Sequence, residues 1–114
     1  PDEVDKYVAD PLCGNVFTTG FWIDLLGGLS YIHSTDTTAK VPKDLPIHLI
    51  AGSMDPVGAK TKGVEAVAGQ YRKAGVKTVT THYYIGARHE LLNETNRDEV
   101  TADVIAWLDS HLPS

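Results

Sequence analysis

Between residue 46 and the end of the chain, two kinds of apolar pattern alternate, and their order limits the fold to one class. Pro46 leads into the predominantly apolar run Ile47 to Ala51, the pattern of a strand covered on both faces. Val64, Val67, Ala68, Tyr71 and Ala74 then recur at helical spacing as far as Gly75. From Val76 to Ile85 residues alternate, with Val79, Tyr83 and Ile85 on one side, and Val100, Val104, Ile105, Leu108 and Leu112 make a last helical stripe. Asn96 and Glu99 fit the start of that helix as a cap with its partner three residues on. Strand, helix, strand and helix of these lengths predict a parallel pair with a right-handed crossover, an α/β arrangement. Two parallel strands are not a stable sheet, so the strand at Ile47 is expected to need a neighbour along its other edge.

The first 33 residues follow a different grammar. Phe17, Phe21, Leu25 and Leu29 stand at four-residue steps with Leu26 and Ile32 beside them, which predicts an apolar helix ahead of any strand. Asp10-Pro11 interrupts the pattern, because proline cannot continue a helix and pushes its predecessor to an extended conformation. A short helix, a break and a second helix are expected. Residues 34–45 are polar and Thr-rich up to Pro42-Lys43, the composition of a surface connection.

Composition sets limits on partners. A formal charge of -5 with no Lys/Arg cluster argues against a nucleic-acid or anionic-membrane footprint. Cys13 stands alone, so no internal disulfide can form, which leans towards a cytoplasmic setting. No apolar run approaches the roughly twenty residues of a membrane span, and none has the form of a signal peptide. The exposed edge of the Ile47 strand predicts association with a complementary part of the fold or with a second copy.

Each strand run ends in a Gly-containing turn and then presents one titratable residue, Asp55 in Gly52-Ser-Met-Asp-Pro-Val-Gly58 and His89 in Gly86-Ala-Arg-His-Glu-Leu-Leu-Asn93. In open parallel sheets, residues just past the C-terminal strand ends face the ligand crevice. An imidazole held in one tautomer by a carboxylate is what a serine nucleophile needs for proton transfer. The alternative is that Asp55 merely opens an Asp-Pro turn and His89 sits in a loop. No Gly-x-Ser-x-Gly turn is present, and neither Ser30, Ser34, Ser53, Ser110 nor Ser114 lies in such an elbow. His89-Glu-Leu-Leu-Asn93 puts Asn93 where a zinc-binding His-Glu-x-x-His has its second ligand, so no metal site is expected. Gly52 to Thr61 departs from a phosphate loop in spacing and at Ala59, before Lys60. His33, His48, His82 and His111 have no charged or thiol partner at ligand spacing and are expected to be solvated or packed.

Leu49-Ile-Ala-Gly-Ser-Met-Asp-Pro-Val-Gly58, Tyr71-Arg-Lys-Ala-Gly-Val76 and Tyr84-Ile-Gly-Ala-Arg-His-Glu-Leu-Leu-Asn-Glu-Thr-Asn-Arg97 together resemble the C-terminal third of the α/β-hydrolases, in their lysophospholipase and monoacylglycerol-lipase-like branch, also known as serine aminopeptidase S33. Tyr7-Val-Ala-Asp-Pro-Leu-Cys-Gly14 is similar to the end of that branch's cap. The resemblance implies a C-terminal segment of an α/β-hydrolase fold, with residues 1–33 as the end of the cap and the helix leading back, 34–45 as linker and 46–114 as the βαβα part of the core. It implies a serine hydrolase acting on carboxylic esters through an acyl-serine, with no metal or organic cofactor. Asp55 would be the triad acid and His89 the triad base, in the family's order. The nucleophile and oxyanion segment would come from the missing N-terminal half, so the segment by itself is expected to be inactive. Phe17, Phe21 and Leu25 have two readings, core packing or the wall of an acyl pocket. The rival functions are a non-catalytic interaction module with hydrolase-like strands and a nucleotide-binding α/β domain using Gly58 and Lys60.

Overall fold

The computed structural model describes residues 2–112; Pro1, Pro113 and Ser114, the last of the serines considered above, lie outside the described residues. The chain divides into two compact units, one ending at Ser34 and the other beginning at Thr35.

In the first unit, α1 (Asp2–Ala9) carries Asp2, Glu3 and Asp5 in its first turn, where the helix dipole favours negative charge. It stops before Asp10, whose Oδ1 accepts the Leu12 N–H at 2.8 Å across Pro11. The second helix, α2, spans Thr19–Ile32, and the Thr18 hydroxyl oxygen caps it by accepting the Phe21 N–H at 3.2 Å. That cap places Phe17 ahead of the helix, against the expectation of a continuous stripe. Phe17 nevertheless stacks on Phe21 with ring centroids 4.2 Å apart, and Trp22 meets both rings edge-on. No residue of α2 is buried.

The second unit opens with a single-turn helix, α3 (Thr35–Thr38), inside the stretch whose composition reads as a connection. Then come β1 (Ile47–Gly52), α4 (Lys62–Lys73), β2 (Val79–Tyr84), a 3-10 turn at Leu91–Asn93 and α5 (Arg97–Asp109). The strands pair in parallel, with Ile47 opposite Val79 and Gly52 opposite Tyr84, as the α/β reading requires. The crossover closes tightly. Gly75, at φ +91°, ends α4 in a Schellman arrangement, with the Gly75 N–H donating to Arg72 and the Val76 N–H to Tyr71. Val76 is therefore a buried turn residue, and β2 starts three residues later than the alternation suggests.

Tyr84, Ala87, Leu91 and Val100 form the core, with Ile50 packed against them. Ile85, grouped with the half-buried Val79 and Tyr83 by its alternation, is exposed, because the strand ends at Tyr84 and the chain turns at Gly86, φ +81°. Tyr84 takes the inner position and its hydroxyl donates to Asp103 Oδ2 at 3.0 Å. Asn96 precedes α5, but its side chain donates to the Glu99 carboxylate at 2.9 Å and makes no cap to the helix backbone. Residues Ile47 to Ile50 remain only half-buried, as a strand with one partner must. Among the described residues no helix is long and apolar enough to cross a membrane.

Candidate functional site

The parallel ladder brings the ends of β1 and β2 level, and each is followed by a loop that folds back over the other. Ser53 N–H donates to the Tyr84 carbonyl at 3.0 Å and Met54 N–H to the Ala87 carbonyl at 3.0 Å. In return the Gly86 N–H donates to the Ser53 hydroxyl oxygen at 2.9 Å. Gly52 lets them approach so closely, since a Cβ there would lie 2.2 Å from the Arg88 carbonyl oxygen and 2.3 Å from that of Ala87.

Asp55 and His89 meet across this seam. Asp55 N–H donates to the Gly52 carbonyl at 3.1 Å, which turns the chain, and Asp55 Oδ1 accepts the Val57 N–H at 2.9 Å in the manner of an Asx turn. The second carboxylate oxygen, Oδ2, accepts from His89 Nδ1 at 3.1 Å. An ionised carboxylate only accepts, so Nδ1 carries the proton, and in the neutral ring Nε2 is left as the acceptor. The Asp55 side chain is 8% exposed and that of His89 60% exposed, so the carboxylate is enclosed while the ring remains open to solvent.

The environment of Asp55 favours its charge. The hydrogen bond from His89 holds its carboxyl below the ordinary 3.8, burial pulls the other way, and the Val57 and Gly58 N–H groups add to the lowering. Behind the loop, Ala59, Lys60 and Thr61 all have positive φ, at 50°, 51° and 77°, a left-handed turn that hands the chain to α4. The Lys60 N–H returns to the Asp55 carbonyl at 2.9 Å and the Gly63 N–H to the Gly58 carbonyl at 3.0 Å, so the strained turn is tied to the loop carrying Asp55.

Of the residues singled out in the sequence, Asp55 and His89 are brought together, while Phe17, Phe21 and Leu25 belong to the first unit and are all exposed. Ser53 is a structural acceptor for Gly86. Among the described residues no three His, Cys, Asp or Glu side chains cluster as metal ligands would. Three contributors escape a reading by residue chemistry: Gly52, Ser53 and Glu94, whose carboxylate accepts the Arg88 N–H at 2.6 Å. For Gly52 the signal was available, as a glycine closing an apolar strand.

The model of the family described as serine aminopeptidase, S33 matches residues 1–96. Among solved structures, a highly thermostable carboxyl esterase from Bacillus coagulans, in complex with glycerol, is 36% identical with a TM-score of 0.84, over 96% of this chain and 36% of that one. The monoacylglycerol lipase of Paleococcus ferrophilus has the same fold at 20% identity, with a TM-score of 0.73, over 98% of this chain and 41% of the lipase. The chain thus spans well under half the length of either enzyme. No curated protein matches it.

Proposed function

As the chain belongs to the serine aminopeptidase S33 family and has part of the α/β-hydrolase fold, we propose that it supplies the acid and base of a serine hydrolase acting on carboxylic esters. What supports this is the 3.1 Å bond between Asp55 Oδ2 and His89 Nδ1 at the C-terminal ends of adjacent parallel strands. In this reading His89 Nε2 takes the proton of a serine as that oxygen attacks the ester carbonyl, and returns it to the departing alcohol. Water then repeats the cycle on the acyl-serine. Asp55 holds the ring in the Nδ1–H tautomer and stabilises the imidazolium that forms.

The serine lies outside this sequence, in the remainder of a longer hydrolase or in a complementing chain, because no Gly-x-Ser-x-Gly occurs here. The carboxyl esterase among the similar structures supports a carboxylic ester as substrate, and the resemblance of the sequence narrows the proposal to a monoacylglycerol or lysophospholipid-like ester. Phe17, Phe21 and Leu25, apolar and exposed, are proposed to line its acyl chain.

The test is the gene and its product. An upstream Gly-x-Ser-x-Gly that labels with a fluorophosphonate, in a protein whose kcat falls about four orders of magnitude on Asp55→Asn, is the expected result. Full activity in Asp55→Asn would overturn the assignment of the acid. An open reading frame beginning at this chain, with no complementing partner, would favour the interaction module.

A further inference from the structure

We propose that Glu94 is a positioning residue for His89, acting through the Ala87–Arg88 peptide one residue ahead of it; the proposal rests on the reading of His89 as the base. The turn from Gly86 to His89 is held at successive groups. The Gly86 N–H is taken by Ser53, the Ala87 carbonyl by Met54, and the Arg88 carbonyl lies against Gly52. The Ala87 N–H donates to the Tyr84 carbonyl at 3.3 Å, and the Arg88 N–H donates to Glu94 Oε1 at 2.6 Å, reached from just beyond the 3-10 turn. A carboxylate accepting an N–H at that distance makes a charge-assisted bond, shorter and stronger than the neutral bonds around it.

The bond has a directional consequence. The Ala87–Arg88 peptide is held at its carbonyl by the Met54 N–H and at its amide by Glu94, the next peptide lies with the Arg88 carbonyl against Gly52, and the backbone angles beyond aim the imidazole at Asp55. This contact is exposed, so water can replace Glu94 as the acceptor. What water cannot supply is a fixed direction. Losing Glu94 therefore leaves the fold in place and widens the spread of ring orientations, and the bond from Nδ1 to Asp55 is the one that suffers.

The experiment is nuclear magnetic resonance on the complete protein that contains this segment, selectively labelled to read its backbone amides and the imidazole nitrogens of His89. In the parent, His89 is expected to show the single Nδ1–H tautomer and Arg88 a downfield amide proton. Glu94→Ala is expected to move the imidazole resonances towards the averaged values of a free histidine, with the amides of β1 and β2 unmoved. Glu94→Gln keeps an acceptor oxygen without the charge, so the tautomer is expected to return while the Arg88 amide proton moves upfield. A His89 spectrum indifferent to Glu94→Ala overturns the proposal. Should Glu94→Ala lose the β1–β2 amide pattern, an Arg88 amide that does not move in Glu94→Gln overturns it instead.

In an active hydrolase the same variants are expected to lower kcat with KM unchanged for Glu94→Ala, and to recover for Glu94→Gln. The two readings fail separately. A complete protein that shows neither ester hydrolysis nor fluorophosphonate labelling rejects the hydrolase reading and leaves the imidazole measurement standing, whereas an imidazole indifferent to Glu94 rejects only the positioning role.

Discussion

The Gly52 Cα lies so close to the Arg88 carbonyl oxygen that a methyl group on it would sit 2.2 Å from that atom. Both groups are backbone, so no side chain can swing aside to make room. Gly52→Ala is expected to push the His89 loop off the end of β1 and to lower stability by at least the roughly 1–3 kcal/mol typical of overpacking. Urea unfolding measures the loss and the His89 imidazole spectrum the displacement. A variant as stable as the parent, with that spectrum intact, would refute the close approach.

Acid should act through Asp55. Its folded-state carboxyl titrates below the ordinary 3.8, so the stability it contributes is present above that pH and is lost as pH falls through the lower folded-state value. The urea midpoint of the parent is expected to drop in that window more steeply than that of Asp55→Asn, and the two curves to converge at the acid end. Parallel curves would mean that the bond to His89 contributes nothing.

The alkaline limb belongs to Tyr84. Burial, the hydrogen bond to Asp103 and the nearby Asp103 and Glu99 charges push its hydroxyl up to about 12. Stability from the neutral phenol is present below the ordinary 10 and fades as pH rises from there through the folded-state value. Tyrosinate absorbance followed alongside unfolding should show one tyrosine ionising last, with the loss of structure. Tyr84→Phe should remove that late step, and a late step that remains would assign it to another tyrosine.

Lys60 sits in the middle of three consecutive left-handed residues, at φ 51°. A side chain in that region costs on the order of 1 kcal/mol, which glycine avoids, although glycine gives back part of the gain through the freedom of its unfolded chain. Lys60→Gly is expected to be neutral or slightly stabilising in urea. A destabilisation above about 1 kcal/mol would show that the lysine side chain holds the turn.

How much of this was legible depended on the period of each pattern. The strand at Ile47 follows from a predominantly apolar run, and the helix ending at Gly75 and the last helix from residues repeating at steps of three to four, and the structure has them. The Asp55 and His89 loops could be found because each follows an apolar run and a Gly-containing turn, the first presenting a carboxylate and the second an imidazole. What failed did so locally. Val76 and Ile85 read as strand because alternation cannot detect a Schellman turn at one end or a glycine turn at the other. Asn96 read as a cap, yet its amide prefers the neighbouring Glu99 carboxylate. Glu94 was invisible as a contributor, since its partner is a backbone N–H, and any residue but proline has one.

Parallel pairing has a further consequence for how such a site can vary. Gly52 and Tyr84 form one rung of the ladder, with Asp55 three positions past the first and His89 five past the second. The meeting of the two side chains is thus measured along two short overhangs from a common rung, and the length of the crossover through α4 does not enter it. Residues could be inserted between Lys73 and Lys77 with the acid and base still in reach of each other. A single deletion between Ile85 and Arg88 would put them out of step, so descendants of this sequence should differ in the crossover far more freely than in either overhang.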